Sequence, residues 1–437
     1  MKERLKKIWK SLGPGLITGA ADDDPSGVVT YAIAGARLGT SAVWMMLYLL
    51  PFMSAIQEMC VRIGVSSSCG IAGNLKRYYP KALLVFLSIL IIFANTFNIG
   101  ADIYGMASAL QLIVPGPTVL LSWLIIAVIL VLVVILPYRK IVSIFKWLAF
   151  SLFAYMVAAI LVVPGWYSII LSLLIPKIIF TKDFLLLFVA IVGTTISPYL
   201  ALWQTSEEAE EEQDKTINKS KNLVCKFRIF NKNDLRRAII DTRAGMFFSN
   251  FIAFFIISLT GTLLFNAGIR NIETVKDVAD ALRPLAGHYS YYLFAIGIIS
   301  AGLLTIPILA GSTAYVLSEI FGWSGSLDKP FSKAREFYLA LVLSAVIGMA
   351  IPYMHISAVQ ALFFTSVING IVAPFLIALI IHMANNPAIV GPNVNKRSAN
   401  ILGYATFLLI ASIDIAAIFT TTIPQQAGAL ISNFINF

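Results

Sequence analysis

Histidine, cysteine and charged side chains are all scarce in this chain. Its 437 residues include 3 histidines and 3 cysteines. Cys60, Cys69 and Cys225 have no metal-ligand spacing, so we expect neither a zinc site nor a disulfide framework. The sequence also lacks a histidine-rich metal cluster, a nucleophile–base pair and a phosphate-binding loop, which argues against an enzyme.

Apolar residues make up most of the chain. Hydrophobic residues make up 59% of the chain and charged residues 12%, with a mean hydropathy of +0.85. These values predict an all-α polytopic membrane protein. Apolar runs of roughly 20 residues predict about eleven transmembrane helices, near 13–36, 41–62, 82–110, 118–137, 141–163, 184–203, 244–265, 290–320, 337–351, 356–382 and 400–421.

The formal net charge of +10 reflects membrane topology rather than a nucleic-acid partner. Most lysines and arginines fall in segments on the same side of the membrane as the N-terminus, and basic loops mark the cytoplasmic side. We therefore expect a multi-pass protein of a prokaryotic plasma membrane, with a cytoplasmic N-terminus and an external C-terminus. The lipid bilayer is its expected environment, and we expect a monomer without a cofactor.

Three consecutive acids interrupt the first apolar run, from Ala21 to Gly27. A carboxylate near the bilayer centre costs at least a few kcal/mol, so it persists only where it faces a partner, an ion or water. Pro25 removes a backbone donor and Gly27 tolerates unwinding, which predicts a helix break with free carbonyl oxygens beside the acids. The combination predicts a cation site at Asp24, with the carbonyl of Ala21 beside it.

A second break is predicted in the sixth span, where Gly193 to Tyr199 again place glycine, hydroxyls and proline inside an apolar run. Broken helices 1 and 6 at matching positions predict an inverted 5+5 repeat with a site near the membrane midplane. We expect a single domain over residues 1–437, with repeat one at 13–163, repeat two at 184–382 and an extra helix at 400–421. This architecture favours a transporter.

The one long polar segment, about 204–243, is interpreted as a cytoplasmic loop. Its acids at 207–214 could form a vestibule that concentrates cations. They could also lie on a solvated helical extension with local charge pairing, and we favour the second interpretation. Elsewhere we expect Glu58 to pair with Arg62, one helical turn away, while Asp414 has no assigned partner.

Several further motifs match one family over most of the chain. The chain resembles the NRAMP divalent-metal transporters, which have the fold of amino-acid/sodium symporters and move manganese or iron with protons. Besides Asp24-Pro25, the matching residues are Gln57-Glu58 with Arg62-Ile63-Gly64-Val65, Gly105-x-Ala107-x-Ala109-Leu110, Tyr138-Arg139-Lys140, Asp241-Thr242, Ser249-Asn250 and Ala301-Gly302.

Departures from the family pattern fall on the metal site. The family's first-span motif is Asp-Pro-Gly-Asn, but Ser26 and Gly27 replace its second half here. Its sixth-span motif is Met-Pro-His, where this chain has Ser197 and Tyr199 around the proline. The soft thioether is lost and a hard hydroxyl replaces it. The sequence is thus similar to the NRAMP-related magnesium transporter branch.

The resemblance implies a roomy, all-oxygen site for Mg²⁺, which dehydrates reluctantly and keeps several waters. We expect Mg²⁺, and to a lesser degree Mn²⁺, as transported substrate. The expected metal site comprises Asp24, Ser197, Ala21, Thr194 and Gly27, with Asp23, Tyr199 and Asn369 as weaker pathway candidates.

Proton coupling is expected to be absent. The family's two sixth-span histidines align with Tyr199 and Gln204, and of its two third-span acids only Asp102 remains, with Ile99 at the other position. The open alternative is an ordinary proton-coupled importer of manganese or iron. A symporter for an organic anion is disfavoured, because the three acids of the first break would repel a carboxylate.

Overall fold

The computed structural model describes residues 14–136, 152–178, 180–214, 232–283, 287–327 and 329–422. The regular elements in these ranges are all helical. In chain order the α-helices are α1 Pro14–Asp22, α2 Pro25–Leu38, α3 Trp44–Ser67, α4 Ile71–Tyr78, α5 Lys81–Gln111, α6 Thr118–Ile135, α7 Phe153–Val162, α8 Trp166–Leu174, α9 Lys182–Thr195, α10 Pro198–Asp214, α11 Lys232–Thr260, α12 Val275–Asp280, α13 Ser290–Phe321, α14 Arg335–Gly348, α15 Ala358–Ala384, α16 Pro387–Val390 and α17 Arg397–Thr422.

Nine helical segments within the described ranges are long and apolar enough to cross a membrane, and one of them, Lys182–Gln213, includes the second predicted break. Helices α7 and α8, bent by 119° relative to each other, form a candidate tenth span. The first predicted span consists of the two short helices α1 and α2. The prediction of an all-α polytopic membrane protein is confirmed. Of the predicted fifth span, residues 141–151 lie outside the described residues.

Both predicted helix breaks are present. Helix α1 ends at Asp22 and α2 begins at Pro25, while α9 ends at Thr195 and α10 begins at Pro198. Each proline is the first residue of the half-helix that follows. At that position its missing N–H has no helical partner to lose and its fixed φ suits the first turn. The prolines therefore stop one half-helix and start the next.

Close backbone contacts hold both broken helices in the bundle. A Cβ atom at Gly193 would lie 2.0 Å from the Ser366 carbonyl oxygen and 2.3 Å from the Gly370 nitrogen. A Cβ atom at Gly19 would lie 2.3 Å from the Gly245 carbonyl. Residues without side chains let membrane helices approach this closely. Helix α9 thus contacts α15, and α1 contacts α11, right beside the two breaks.

The polar segment at 204–243 is not a loop at its two ends. Helix α10 runs through Asp214 and α11 begins at Lys232, while 215–231 lie outside the described residues. Gln204 and Thr205 are fully buried and Glu208 is 2% exposed. For these residues the interpretation as a loop is wrong and the favoured helical extension is present, but it packs into the bundle rather than being solvated. The reason is that α10 continues past the apolar run and packs against α3 and α13.

The cysteines require another correction. Cys60 is free and buried, but Cys69 is disulfide-bonded, whereas the sequence analysis assigned no disulfide. Spacing along the chain does not reveal which thiols the fold brings together, so this bond was not predictable. Cys225 lies outside the described residues.

Candidate metal centre

The two helix breaks meet at Gly27, in the first turn of α2. A Cβ atom at Gly27 would lie 2.8 Å from Thr194 Oγ1 and 3.2 Å from Asp24 Oδ1. Asp24 is 1% exposed and Thr194 2% exposed. The structure therefore brings together three of the predicted site residues, one carboxylate and one hydroxyl on either side of a glycine, in a region closed to solvent.

The Asp24 carboxylate caps the second half-helix. Its Oδ1 accepts hydrogen bonds from the Gly27 N–H at 2.6 Å and from Ser26 Oγ at 2.8 Å. Its Oδ2 accepts a hydrogen bond from Asn98 Nδ2 at 3.2 Å. The positive end of the α2 dipole and an N-cap bond both favour an anion here. These three hydrogen bonds hold the Asp24 carboxylate in one orientation.

The backbone oxygens expected beside Asp24 are not free. The Ala21 carbonyl accepts a hydrogen bond from the Tyr199 hydroxyl at 2.9 Å and one from Thr305 Oγ1 at 3.4 Å. The Thr194 carbonyl accepts a hydrogen bond from Ser197 Oγ at 2.8 Å. The expectation of unpartnered carbonyls is therefore wrong for this conformation, because neighbouring hydroxyls satisfy the groups that each break exposes.

Ser197 belongs to the second break, but its hydroxyl is directed at its own half-helix. Besides Thr194, it donates to the Gly193 carbonyl at 3.0 Å. Ser197 also lines a small cavity with Gln57 and Ile380. A hydroxyl oxygen that donates one hydrogen bond keeps its lone pairs for a ligand. Tyr199, by contrast, connects the two breaks directly through its bond to Ala21.

A chain of amides links Asp24 to a second acid in α5. Asn98 Nδ2 also donates to Asp102 Oδ2 at 2.8 Å, and Asn98 Oδ1 accepts a hydrogen bond from Asn369 Nδ2 at 2.7 Å. Asn369 therefore reaches Asp24 only through Asn98. The sequence analysis did not include Asn98 in the site. Its spacing from Asp102, four residues along one helix face, was the available signal.

Replacing Asn98 by alanine should raise the KM for the transported ion roughly 10- to 100-fold, since one hydrogen bond to a charged group contributes about 1.5–3 kcal/mol. The maximal rate should change less, because Asp24 keeps its two bonds at the start of α2. Uptake measured over a range of ion concentrations separates the two parameters. A matched control is Asn385→Ala, which removes an amide that bonds Asn400 away from the site. An unchanged KM in the Asn98 variant would show that this amide does not position Asp24.

The other two acids of the first break contact α11. Ser249 Oγ donates to Asp22 Oδ2 and lies 3.4 Å from Asp23 Oδ1. Asp22 is fully buried and Asp23 is 1% exposed. Within the described ranges, no group of three or more His, Cys, Asp or Glu side chains has the geometry of a metal cluster. Any metal bound here must therefore use hydroxyl, carbonyl or water oxygens in addition to carboxylates.

The predicted pair between Glu58 and Arg62 is wrong. Glu58 forms an ion pair with Arg243 of α11, and Arg62 Nη1 donates to Asn395 Oδ1. One-turn spacing on α3 permits a pair, but helix packing supplies other partners for both side chains. These contacts tie α3 to α11 and to the segment before α17.

Glu319, near the end of α13, holds three elements together. Its Oε1 accepts a hydrogen bond from the Gly70 N–H at 3.0 Å and its Oε2 accepts one from the Gly73 N–H at 2.6 Å. Ser206 Oγ of α10 lies 3.4 Å from Oε1. The carboxylate thus caps the start of α4 and connects it to α10 and α13.

Replacing Glu319 by glutamine should loosen this contact. The amide keeps one acceptor oxygen but loses the second acceptor and the charge, a change of about 1–2 kcal/mol. Hydrogen–deuterium exchange of the peptide covering residues 69–78 should become about tenfold faster. The matched control is Glu336→Gln at an exposed position of α14. Equal exchange in the two variants would contradict a bridging role for Glu319.

Asp414 remains without a partner in the described structure. Both of its carboxylate oxygens lack a hydrogen bond, and it lines a cavity of about 90 Å³ with Val189 and Val367. The residue lies on α17, away from the two helix breaks. Nothing in the structure explains this acid.

The chain was compared with known proteins. A family model described as natural resistance-associated macrophage protein-like (Nramp) matches residues 15–420. The divalent metal cation transporters MntH of Staphylococcus aureus strains JH9 and Newman are each 23% identical over 430 residues, which cover 95% of this chain and 92% of the relative.

Solved structures show the same fold. A manganese transporter of Eremococcus coleocola superposes with a TM-score of 0.71 at 17% identity, covering 98% of this chain and 92% of that one. Mhp1, a nucleobase-cation-symport-1 family transporter, superposes with a TM-score of 0.54 at 12% identity, covering 94% of this chain and 90% of that one. The predicted symporter-like architecture is thereby confirmed.

Proposed function

The chain belongs to the Nramp family, and from this premise we propose that it imports Mg²⁺, with Mn²⁺ as a competing ion and without an obligatory proton. It is a divalent metal cation transporter of this family and not an enzyme. The choice of ion and the absence of proton coupling are the proposal.

The observation that carries the proposal is the chemistry around Asp24. The oxygen atoms beside its carboxylate are Ser26 Oγ and, across Gly27, Thr194 Oγ1. No sulfur or imidazole is among these contacts. Transition metals favour softer sulfur and imidazole donors, whereas oxygen donors suit Mg²⁺.

A site with one strong charge also suits an ion that keeps its water. Mg²⁺ dehydrates reluctantly, and one or two carboxylates commonly hold it through retained waters. A Cβ atom at Gly27 would lie 2.8 Å from Thr194 Oγ1, so the two breaks are in close contact in this conformation, and we propose that they separate when a hydrated ion binds. In the bound state we propose that Asp24 holds the ion, with Thr194, Ser197 and the Ala21 carbonyl as direct or water-mediated ligands. Asp23, Tyr199 and Asn369 line its path.

The driving force need not include protons. With the N-terminus in the cytoplasm, as we propose, a divalent cation entering the cell gains about 4.6 kcal/mol per 100 mV of inside-negative potential, twice the value for one charge. One helix bundle would rock against the other and open the site to each face in turn. Tyr199 and Gln204 replace the histidines that the resemblance would assign to a proton route.

A second candidate is a proton-coupled manganese importer. The names of the compared proteins favour it, since the relatives include a manganese transporter and divalent metal cation transporters named MntH. Asp102, bonded to Asn98, is an acid that such coupling could use.

Competition uptake tests the choice of ion. The purified chain in proteoliposomes with an inside-negative potential should take up Mg²⁺, and excess external Mn²⁺ should compete while Ca²⁺ competes weakly. The matched control is the same preparation carrying Asp24→Asn. Uptake of Mn²⁺ without measurable uptake of Mg²⁺ would support the second candidate and overturn the first.

A further inference from the structure

We propose that Asp22, Asp23 and Ser249 form a second divalent-cation site beside Asp24, which holds one transported ion while Asp24 holds another. The identity of the occupant rests on the proposed function, since it is the transported ion itself. The location of the site rests on the geometry between α1 and α11.

The crossing of α1 and α11 places these residues together. Gly19 and Gly245 are in backbone contact at the crossing. About one helical turn after this contact, Asp22 and Asp23 lie at the end of α1, and Ser249 lies on α11. The Ser249 hydroxyl donates to Asp22 Oδ2 and lies within hydrogen-bond distance of Asp23 Oδ1. A single hydroxyl proton can serve only one of these carboxylates at a time.

The remaining oxygens of the two carboxylates have no partner. Asp22 Oδ1 and Asp23 Oδ2 are buried and form no hydrogen bond with the described residues. No lysine, arginine or histidine in the described ranges forms an ion pair with them. An isolated buried carboxylate is unfavourable, whereas a bound cation would satisfy both oxygens. Asp22 also ends α1, where the negative end of the helix dipole favours a cation.

Two further buried groups face the same region. Tyr31 lies two turns after Asp24 on one face of α2 and is fully buried. The Tyr31 hydroxyl lies beside Thr194 Oγ1, and neither forms a hydrogen bond of good geometry with the described residues. These unpartnered hydroxyls are neutral hard donors, available to an ion or to its water between the two sites.

The charge of the region favours a divalent occupant. Four aspartates in this region are each at most 1% exposed: Asp22, Asp23, Asp24 and Asp102. One divalent ion at Asp24 leaves two negative charges without a partner, and a second divalent ion balances them. A monovalent ion would leave one charge unbalanced. Protonation of Asp22 and Asp23 is the competing explanation, and the experiment below distinguishes it.

Electron paramagnetic resonance with Mn²⁺ as the probe tests the site on the purified full chain. Excess Mn²⁺ should give a spectrum of two magnetically coupled ions, and about two Mn²⁺ per chain should remain bound, as in other two-metal sites. The double variant Asp22→Asn/Asp23→Asn keeps the shape of both side chains. It should lose the coupling and retain about one Mn²⁺ per chain.

Two further variants test whether the second ion binds at this site. Ser249→Ala should weaken ion binding at the second site at least about tenfold while the Asp24 site stays filled, since one hydrogen bond to a charged group is lost. Asp414→Asn, which removes a buried acid elsewhere in the membrane, should leave the coupled spectrum unchanged.

A single uncoupled Mn²⁺ in the wild-type chain would overturn the proposal and support protonated acids. Coupling that persists in the Asp22→Asn/Asp23→Asn variant would place the second ion elsewhere and also overturn it. The experiment measures binding rather than flux. A failure of the second site therefore leaves Mg²⁺ uptake through Asp24 intact, and a failure of Mg²⁺ uptake leaves the count of bound ions intact.

Discussion

Replacing Asp24 by asparagine is expected to reduce Mg²⁺ uptake at least about 100-fold, which corresponds to about 2.7 kcal/mol of lost ion binding. Asparagine is nearly as good an N-cap as aspartate, so it can keep the bond to the Gly27 N–H that starts α2. The variant should therefore fold normally while losing the only charged ligand in the site. Radiometric or fluorescent uptake in proteoliposomes measures the loss, and thermal unfolding in detergent checks the fold.

The control for this prediction is Asp414→Asn, another buried carboxylate in a membrane helix. Its uptake should stay within about twofold of wild type, because Asp414 lies on α17 and its carboxylate forms no hydrogen bond with either break. If the Asp24 variant transported Mg²⁺ at a rate similar to that of the control, the ion would not bind at this carboxylate.

The second large effect is expected from restoring the family's metal ligands. The double variant Gly27→Asn/Ser197→Met should shift the preference between Mn²⁺ and Mg²⁺ toward Mn²⁺ by about 10- to 100-fold. A thioether is a soft donor that favours transition metals. The added side chains also fill space that retained waters would occupy, and Mg²⁺ dehydrates poorly.

Structure constrains how this variant should be built. A Cβ atom at Gly27 would lie 2.8 Å from Thr194 Oγ1, so the Thr194 side chain must rotate to accept asparagine. Ser197→Ala is the matched control, because it removes the hydroxyl without adding a soft donor, and it should not shift the preference toward Mn²⁺. The ratio of initial uptake rates for Mn²⁺ and Mg²⁺ is the measurement. An equal ratio in wild type and the double variant would show that these positions do not set selectivity.

The helix breaks could be predicted because their cause is local. Pro25 and Pro198 each begin a new half-helix, and acids or hydroxyls next to them signal membrane-embedded polar groups. The same local chemistry predicted that Asp24 and Thr194 would lie near each other, since matching breaks in an inverted repeat face a shared midplane. The contact between Gly27 and Thr194 agrees with that expectation.

Ion pairs and hydrogen bonds that depend on how the helices pack could not be predicted from the sequence. Spacing of one turn suggested that Glu58 pairs with Arg62, but α11 places Arg243 beside Glu58 instead. Ser249 lies far along the chain from Asp22, and only the close crossing at Gly19 and Gly245 brings them together. Helix packing also brings the Tyr199 hydroxyl to the Ala21 carbonyl, to which it donates a hydrogen bond. The sequence predicted that this carbonyl would be free.

The length of α10 illustrates a further limit. Its acidic second half lacks the apolar residues that mark a membrane span, so the sequence predicted a solvated helical extension within a cytoplasmic loop. The helix does continue through Asp214, but it packs against α3 and α13 and buries Glu208. Hydropathy identifies segments that contact lipid or the apolar core. It does not show that a polar helix packs inside the protein.

The most direct test of the account is simultaneous recording of internal Mg²⁺ and internal pH in one set of proteoliposomes under an inside-negative potential. The account predicts that Mg²⁺ enters, that the pH trace stays flat, and that Asp24→Asn removes the Mg²⁺ signal. Acidification that accompanies ion entry, with Mn²⁺ transported and Mg²⁺ excluded, would contradict it.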